Sequence, residues 1–67
     1  MIKINLEELL DKNKQTLYWL SKETGITYPS LHKILNNKTT SIKLDIIEKI
    51  CDVLNCNISD LLEIKKD

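Results

Sequence analysis

One short stretch, "YPSLHKILN" at residues 28–36, gathers most of the residue types in this chain that could do polar chemistry. On a helix turning about 100° per residue, Pro29, His32, Lys33 and Asn36 share one side, with Tyr28 at the N-terminal tip. Leu31, Ile34 and Leu35 share the other side. A face holding an imidazole, an ammonium and an amide makes a poor core. It suits hydrogen bonding to an external polar surface. Catalysis fits badly: His32 is the lone histidine, no Ser–His or Cys–His pairing falls at a plausible site, and there is no Gly-rich phosphate loop. No enzyme is expected. Cys51 and Cys56 lie five apart, on different faces if both belong to one helix, and each falls where an apolar residue is expected. They read as reduced, core-type thiols. With His32 they supply too few ligands for zinc, so neither a metal nor a cofactor is expected.

These polar residues also have plainer readings. His32 and Lys33 could be ordinary solvated helix positions, and Tyr28 could be half-packed. Trp19 falls away from the Leu17–Leu20 stripe and is read as packing over the first helix or as a dimer contact.

The elements around this stretch follow from caps and apolar spacing. "NLEELLDKN" sets Asn5 three residues before Glu8, a capping-box pattern, with Leu6, Leu9 and Leu10 as the buried stripe and Asn13 as the stop. "MIKIN" alternates, placing Ile2 and Ile4 on one side of a short extended arm. Thr16 caps a second helix whose inward positions are Leu17, Leu20, Ser21 and Thr24. The small Ser21 suggests the close approach of another helix. Gly25, the only glycine, ends it as a left-handed C-cap. Thr27 then caps a third helix, in whose first turn Pro29 is tolerated. A fourth helix, "LDIIEKICDVLN", buries Leu44, Ile47, Ile50, Cys51 and Leu54, with Ile46 and Val53 as a second apolar edge and Asn55 as its C-cap. Asn57 and Asp60 form a capping box for a last helix, "ISDLLEI".

The expected fold is therefore all-α, a compact five-helix domain. The N-terminal arm covers 1–5, the domain 6–62, and a frayed tail 63–67. A chain of 67 residues is one domain, burying only about 60% of the surface its unfolded form exposes. No apolar run approaches the ~20 residues of a membrane span, and no secretory signal is visible, so a cytoplasmic protein is expected. The net charge is zero, but unevenly spread. Residues 14–43 carry five lysines against Glu23, whereas residues 44–67 carry three lysines against six acids. A basic middle and an acidic end suit presentation of one face to a polyanion.

Two helices joined by a glycine turn, the second with a polar outer face, make a helix-turn-helix. "TLYWLSKETGITYPSLHKIL" resembles that of the small regulators related to the lambdoid phage repressors and Cro, the XRE-like family. Thr16, the Leu20–Ser21 pair, the Gly25-Ile26-Thr27 turn, and Leu31 and Ile34 carry the likeness, together with "NNK" and "CDVLNCNISDLLEI" further on. The motif spans about 16–36 and the recognition helix about 28–36. The chain departs from the family at Leu17, where Gln is frequent, at Thr24, where Leu is common, and at Asn37, where Gly is frequent.

The resemblance implies a sequence-specific regulator of transcription, a repressor by expectation, that binds double-stranded DNA at a palindromic operator as a homodimer. Base contacts would come from Tyr28, Pro29, His32 and Lys33. Backbone contacts would come from Thr16, Tyr18, Ser30, Asn36, Lys38, Thr39, Thr40 and Lys43. Ile2, Ile4, Ile46, Val53 and Ile64 are the expected dimer surface. No membrane partner and no small-molecule effector are expected. The alternative is a helix-turn-helix used as a protein-interaction module, of antitoxin or anti-repressor type.

Overall fold

The computed structural model describes residues 1–66; the last residue of the expected tail, Asp67, lies outside the described residues. Five helices form, as the apolar spacing requires: α1 (Leu6–Lys12), α2 (Leu17–Thr24), α3 (Tyr28–Leu35), α4 (Leu44–Leu54) and α5 (Ile58–Leu61). Two three-residue strands flank them, β1 (Ile2–Ile4) and β2 (Leu62–Ile64). They pair antiparallel with Ile2 opposite Ile64, Lys3 opposite Glu63 and Ile4 opposite Leu62.

The sheet corrects three expectations. Residues 62–64, placed across the end of the last helix and a frayed tail, are a paired strand. The last helix stops at Leu61, because Leu62 turns extended (φ −114°, ψ 135°) and joins the arm. Ile4 also leaves the expected dimer surface: it is buried in the core, whereas Ile2 and Ile64 stay exposed beside one another. Ile46 and Val53 sit elsewhere, half-buried on α4 against the core.

Leu6, Leu20, Leu31, Ile50 and Leu61 are fully enclosed, one from each helix, so every helix contributes an anchor to one core. Among the described residues no polar side chain is buried. Trp19 packs, half-buried, on the edge of this cluster. Leu44, expected in the core, is 77% exposed, because it is the first residue of α4 and that turn overhangs the cluster.

The caps divide. Thr16 accepts from the Trp19 N–H at 3.1 Å, as expected. Asn5 makes no side-chain cap bond to α1, and Glu8 instead pairs with Lys3 of the arm at 3.3 Å. The Asn57 N–H donates to the Asp60 carboxylate at 3.0 Å, closing one side of the expected capping box. Asn55 takes the left-handed conformation (φ 52°) at the end of α4, and the Cys56 N–H then reaches the Cys51 carbonyl at 3.0 Å. That six-to-one bond brings the residues at its two ends side by side. The reversal therefore sets Cys56 against Cys51, where an uninterrupted helix would have put them on different faces. Both thiols are free and half-buried. Burial, and after it the neighbouring Cys51, pushes the Cys56 thiol up to about 11.

Candidate nucleic-acid interface

The turn between α2 and α3 fixes how the polar face is presented. Gly25 lies at φ 76°, and its N–H donates to the Ser21 carbonyl at 2.9 Å. The chain next leaves Ile26 with a backbone N–H and C=O that no helix serves. Two hydroxyls take them up: Thr24 Oγ1 accepts from the Ile26 N–H at 3.2 Å, and Ser21 Oγ donates to the Ile26 carbonyl at 2.6 Å. Thr24 also donates to the Leu20 carbonyl at 2.7 Å. The two small polar residues on the inward side of α2 are thus turn-builders. Thr24 exchanges a leucine's packing for two hydrogen bonds that hold the corner.

Beyond the corner, Thr27 is extended (φ −64°, ψ 146°) and its carbonyl accepts from the Leu31 N–H at 3.1 Å, starting α3. Its hydroxyl makes no cap bond; it donates to Ser30 Oγ at 2.9 Å. Leu31 and Ile34 anchor the helix in the core, and Tyr28, Pro29, His32 and Lys33 are all exposed together on the far side, where sequence spacing placed them.

Three of the outer residues form a connected row. The Tyr28 and His32 rings stack with centroids 6.1 Å apart and planes 25° apart. One turn on, the Asn36 amide nitrogen lies 3.2 Å from the His32 ring and donates to the His32 carbonyl at 3.0 Å. Spacing of i, i+4, i+8 lines these groups along one ridge, and the contacts limit the rotamers each must lose on binding. Lys33 stands beside the ridge with its ammonium exposed.

A cleft of about 520 Å³ opens between α3 and the start of α4, lined in part by Ser30, Lys33, Ser41 and Lys43. Two ammonium groups and two hydroxyls make it a phosphate-compatible edge to the ridge. Ser41 was missed in the sequence, where Thr39 and Thr40 before it were singled out instead. Thr39 faces differently from expectation: it is half-buried and its hydroxyl is engaged with the Ser41 carbonyl, while Lys38 and Thr40 remain exposed. At the other end of the motif, Tyr18 is 60% exposed, and the ammonium of Lys22, from the last turn of α2, sits 4.8 Å from its ring centre.

Asn37 holds the ridge to the rest of the molecule. It adopts φ 58°, which explains how it can stand where a glycine is usual. Its side-chain oxygen accepts from the Ile4 N–H at 2.6 Å and its amide nitrogen donates to the Ile4 carbonyl at 3.2 Å. The end of α3 is thereby clamped to β1 by an amide acting as a one-residue strand.

Comparison with known proteins agrees with this geometry. A family profile described as the Cro/C1-type HTH DNA-binding domain matches residues 5–67. The chain is 38% identical over 64 residues to the uncharacterised HTH-type transcriptional regulator YozG of Bacillus subtilis (strain 168), covering 96% of this chain and 76% of that protein. It superposes on the crystal structure of a candidate DNA-binding protein from Bacteroides fragilis with a TM-score of 0.83 at 22% identity, covering 94% of this chain and 100% of that one. That likeness speaks to the fold.

Proposed function

The chain belongs to the Cro/C1-type helix-turn-helix family of DNA-binding regulators, and from that premise we propose that it is a sequence-specific repressor that reads the major groove with α3. Tyr28, Pro29, His32 and Lys33 would face the base edges. Lys33 is suited to donate to guanine O6 and N7, and the Tyr28 and Pro29 rings to touch a thymine methyl. Thr16, Tyr18, Ser30, Asn36, Lys38, Thr40 and Lys43 would hold the phosphate backbone, which positions the helix without reading sequence. Thr39 would support this edge by ordering the loop.

The observation that carries this reading is the Tyr28–His32–Asn36 ridge with Lys33 beside it, polar and exposed on a helix whose opposite face is fully anchored. A helix of eight residues would span a single half-site. The protein would therefore act as a homodimer on a palindrome, with half-sites about 10 bp apart, in the cytoplasm and without a small-molecule effector.

The test is selection of bound sequences from a random duplex pool with the native chain and with Lys33→Ala. A palindromic consensus is expected, with preference relaxed at one position per half-site in the variant. Absence of enrichment with the native chain would refute DNA reading and favour a protein partner.

A further inference from the structure

The chain holds two cysteines, and the fold brings them together. On an uninterrupted helix, positions 51 and 56 would diverge. The left-handed Asn55 ends α4 instead. Its N–H reaches the Asp52 carbonyl at 3.3 Å, and the Cys56 N–H reaches the Cys51 carbonyl at 3.0 Å. In a helix ending of this kind the side chains at the two ends of the six-to-one bond meet. Covalent bond lengths added to that 3.0 Å hydrogen bond keep the two Cα atoms within about 7 Å, the separation beyond which a disulfide cannot close. Cys51 also stands close enough to push the Cys56 thiol up, second only to burial.

The pair is within reach of a small molecule. Both thiols are half-buried, and Cys56 lines an open cleft of about 490 Å³, with Glu8, Lys12 and Asp60 on its polar wall. Two aliphatic side chains would make the same helix-ending contact and nothing more. Two thiols add the possibility of a bond.

We propose that Cys51 and Cys56 form a reversible disulfide by exchange with small-molecule disulfides, locking the corner between α4 and α5. The thiolate of one cysteine attacks a sulfur of the external disulfide, forming a mixed disulfide and expelling one small thiolate, which takes up a proton. The second cysteine gives up its proton and attacks the protein sulfur of the mixed bond, expelling the second small thiol. Two protein thiols are oxidised to one disulfide, and the external disulfide is reduced to two thiols. The second attack is intramolecular, between groups the fold already holds side by side, so it outpaces a second external exchange. The bridge spans only residues 51–56, whose backbone the two hydrogen bonds already fix. Cys56 leads into α5 and β2, so the bridge ties that segment to the end of α4.

The test equilibrates the folded chain with mixtures of oxidised and reduced glutathione. Samples are quenched in acid, alkylated in denaturant and weighed intact. A single chain lighter by two hydrogens is expected, with neither cysteine alkylated, and dithiothreitol should restore the dithiol. In the same mixtures with denaturing urea, closure should be at least tenfold less favourable, because the unfolded chain lacks the Asn55 reversal. By linkage, the oxidised chain should melt roughly 5–15 °C above the reduced one, the gain expected for closing so short a loop. Cys51→Ser and Cys56→Ser should each stop at a mixed disulfide with glutathione and show no such gain. Chains carrying only glutathione adducts, chains linked to one another, or a bridge no more favourable folded than in urea would each overturn the proposal. So would a folded chain that stays fully reduced in oxidised glutathione alone.

Discussion

Four described residues of this chain lie at positive φ: Gly25 at 76°, Lys14 at 56°, Asn37 at 58° and Asn55 at 52°. They allow the cost of the left-handed corner to be measured from both directions. A Cβ built on Gly25 meets nothing within 4 Å, so Gly25→Ala introduces no clash and leaves only the backbone penalty. That penalty is roughly 1–2 kcal/mol for an L-residue and smaller for asparagine, whose short polar side chain tolerates the conformation. For a domain of this size about 1 kcal/mol shifts Tm by roughly 4–8 °C. Gly25→Ala should therefore lower Tm by about 4–15 °C, and Gly25→Asn by less. Lys14 already bears the penalty, is exposed, and carries its strain without a side-chain bond, so Lys14→Gly should raise stability by several tenths of a kcal/mol or leave it unchanged. Thermal and urea denaturation of the three variants decide the matter. If Gly25→Ala costs as much as a core truncation, about 2–5 kcal/mol, the corner is sterically crowded and the reasoning fails. If it costs nothing, the left-handed conformation is not what selects glycine there.

Asn37→Gly keeps the left-handed backbone and removes both hydrogen bonds to Ile4. The Ile4 amide should exchange its hydrogen faster by an order of magnitude or more, while amides of α4 keep their protection; unchanged exchange at Ile4 would refute the clamp. Cys56, raised to about 11 by burial and by Cys51, should stay a neutral thiol up to high pH. Its folded value exceeds its ordinary 9.0, so its contribution to stability is complete below pH 9 and is lost as pH rises through about 11. Iodoacetamide at pH 8 should accordingly modify Cys56 more slowly in the folded chain than in urea, and equal rates would contradict its burial.

The helices were legible because each repeats an apolar stripe at helical spacing and starts at a recognisable cap. The polar outer face of α3 was legible for the same reason: once Leu31 and Ile34 point inward, Pro29, His32 and Lys33 have only one side left. What sequence spacing missed was mostly long-range. Leu62, Glu63 and Ile64 continue the apolar rhythm of a helix, and only the arm waiting some 58 residues away, with Asn5 reaching Glu63, makes them a strand. Asn37 reads as a tolerated substitute for glycine, and its pairing with Ile4, 33 residues distant, follows from no local pattern. Cys51 and Cys56 were misplaced by a single residue: the left-handed Asn55, seen as a cap, also reverses the chain and brings the thiols together. Leu44 illustrates a different limit, since a helix stripe predicts direction correctly while the core has already ended beneath its first turn.

The charge layout bears on how such a protein could choose its site. A chain with zero net charge gains little from the general field that draws basic proteins to DNA. On the proposed reading its attraction would come from Lys33, Lys38 and Lys43, acting at short range, while the six acids of residues 44–67 would oppose approach by the acidic end of the chain. Salt-dependent phosphate contacts supply essentially all of non-specific affinity, each released counterion contributing a slope of about −0.9 in log K against log salt. With only Lys38 and Lys43 charged among the seven proposed backbone contacts, non-specific binding would be weak, and the proposed base contacts of the ridge would decide where the protein stays. Titration of random duplex at physiological salt should therefore show a Kd near or above the usual 10⁻⁶–10⁻⁴ M range for non-specific complexes. Substituting Lys38 or Lys43 by Ala should weaken binding to all sequences alike and shallow the salt slope by roughly one per domain, leaving the consensus unchanged. Tight binding to random DNA, or a consensus altered by Lys43→Ala, would mean that the division between holding and reading drawn along α3 is wrong.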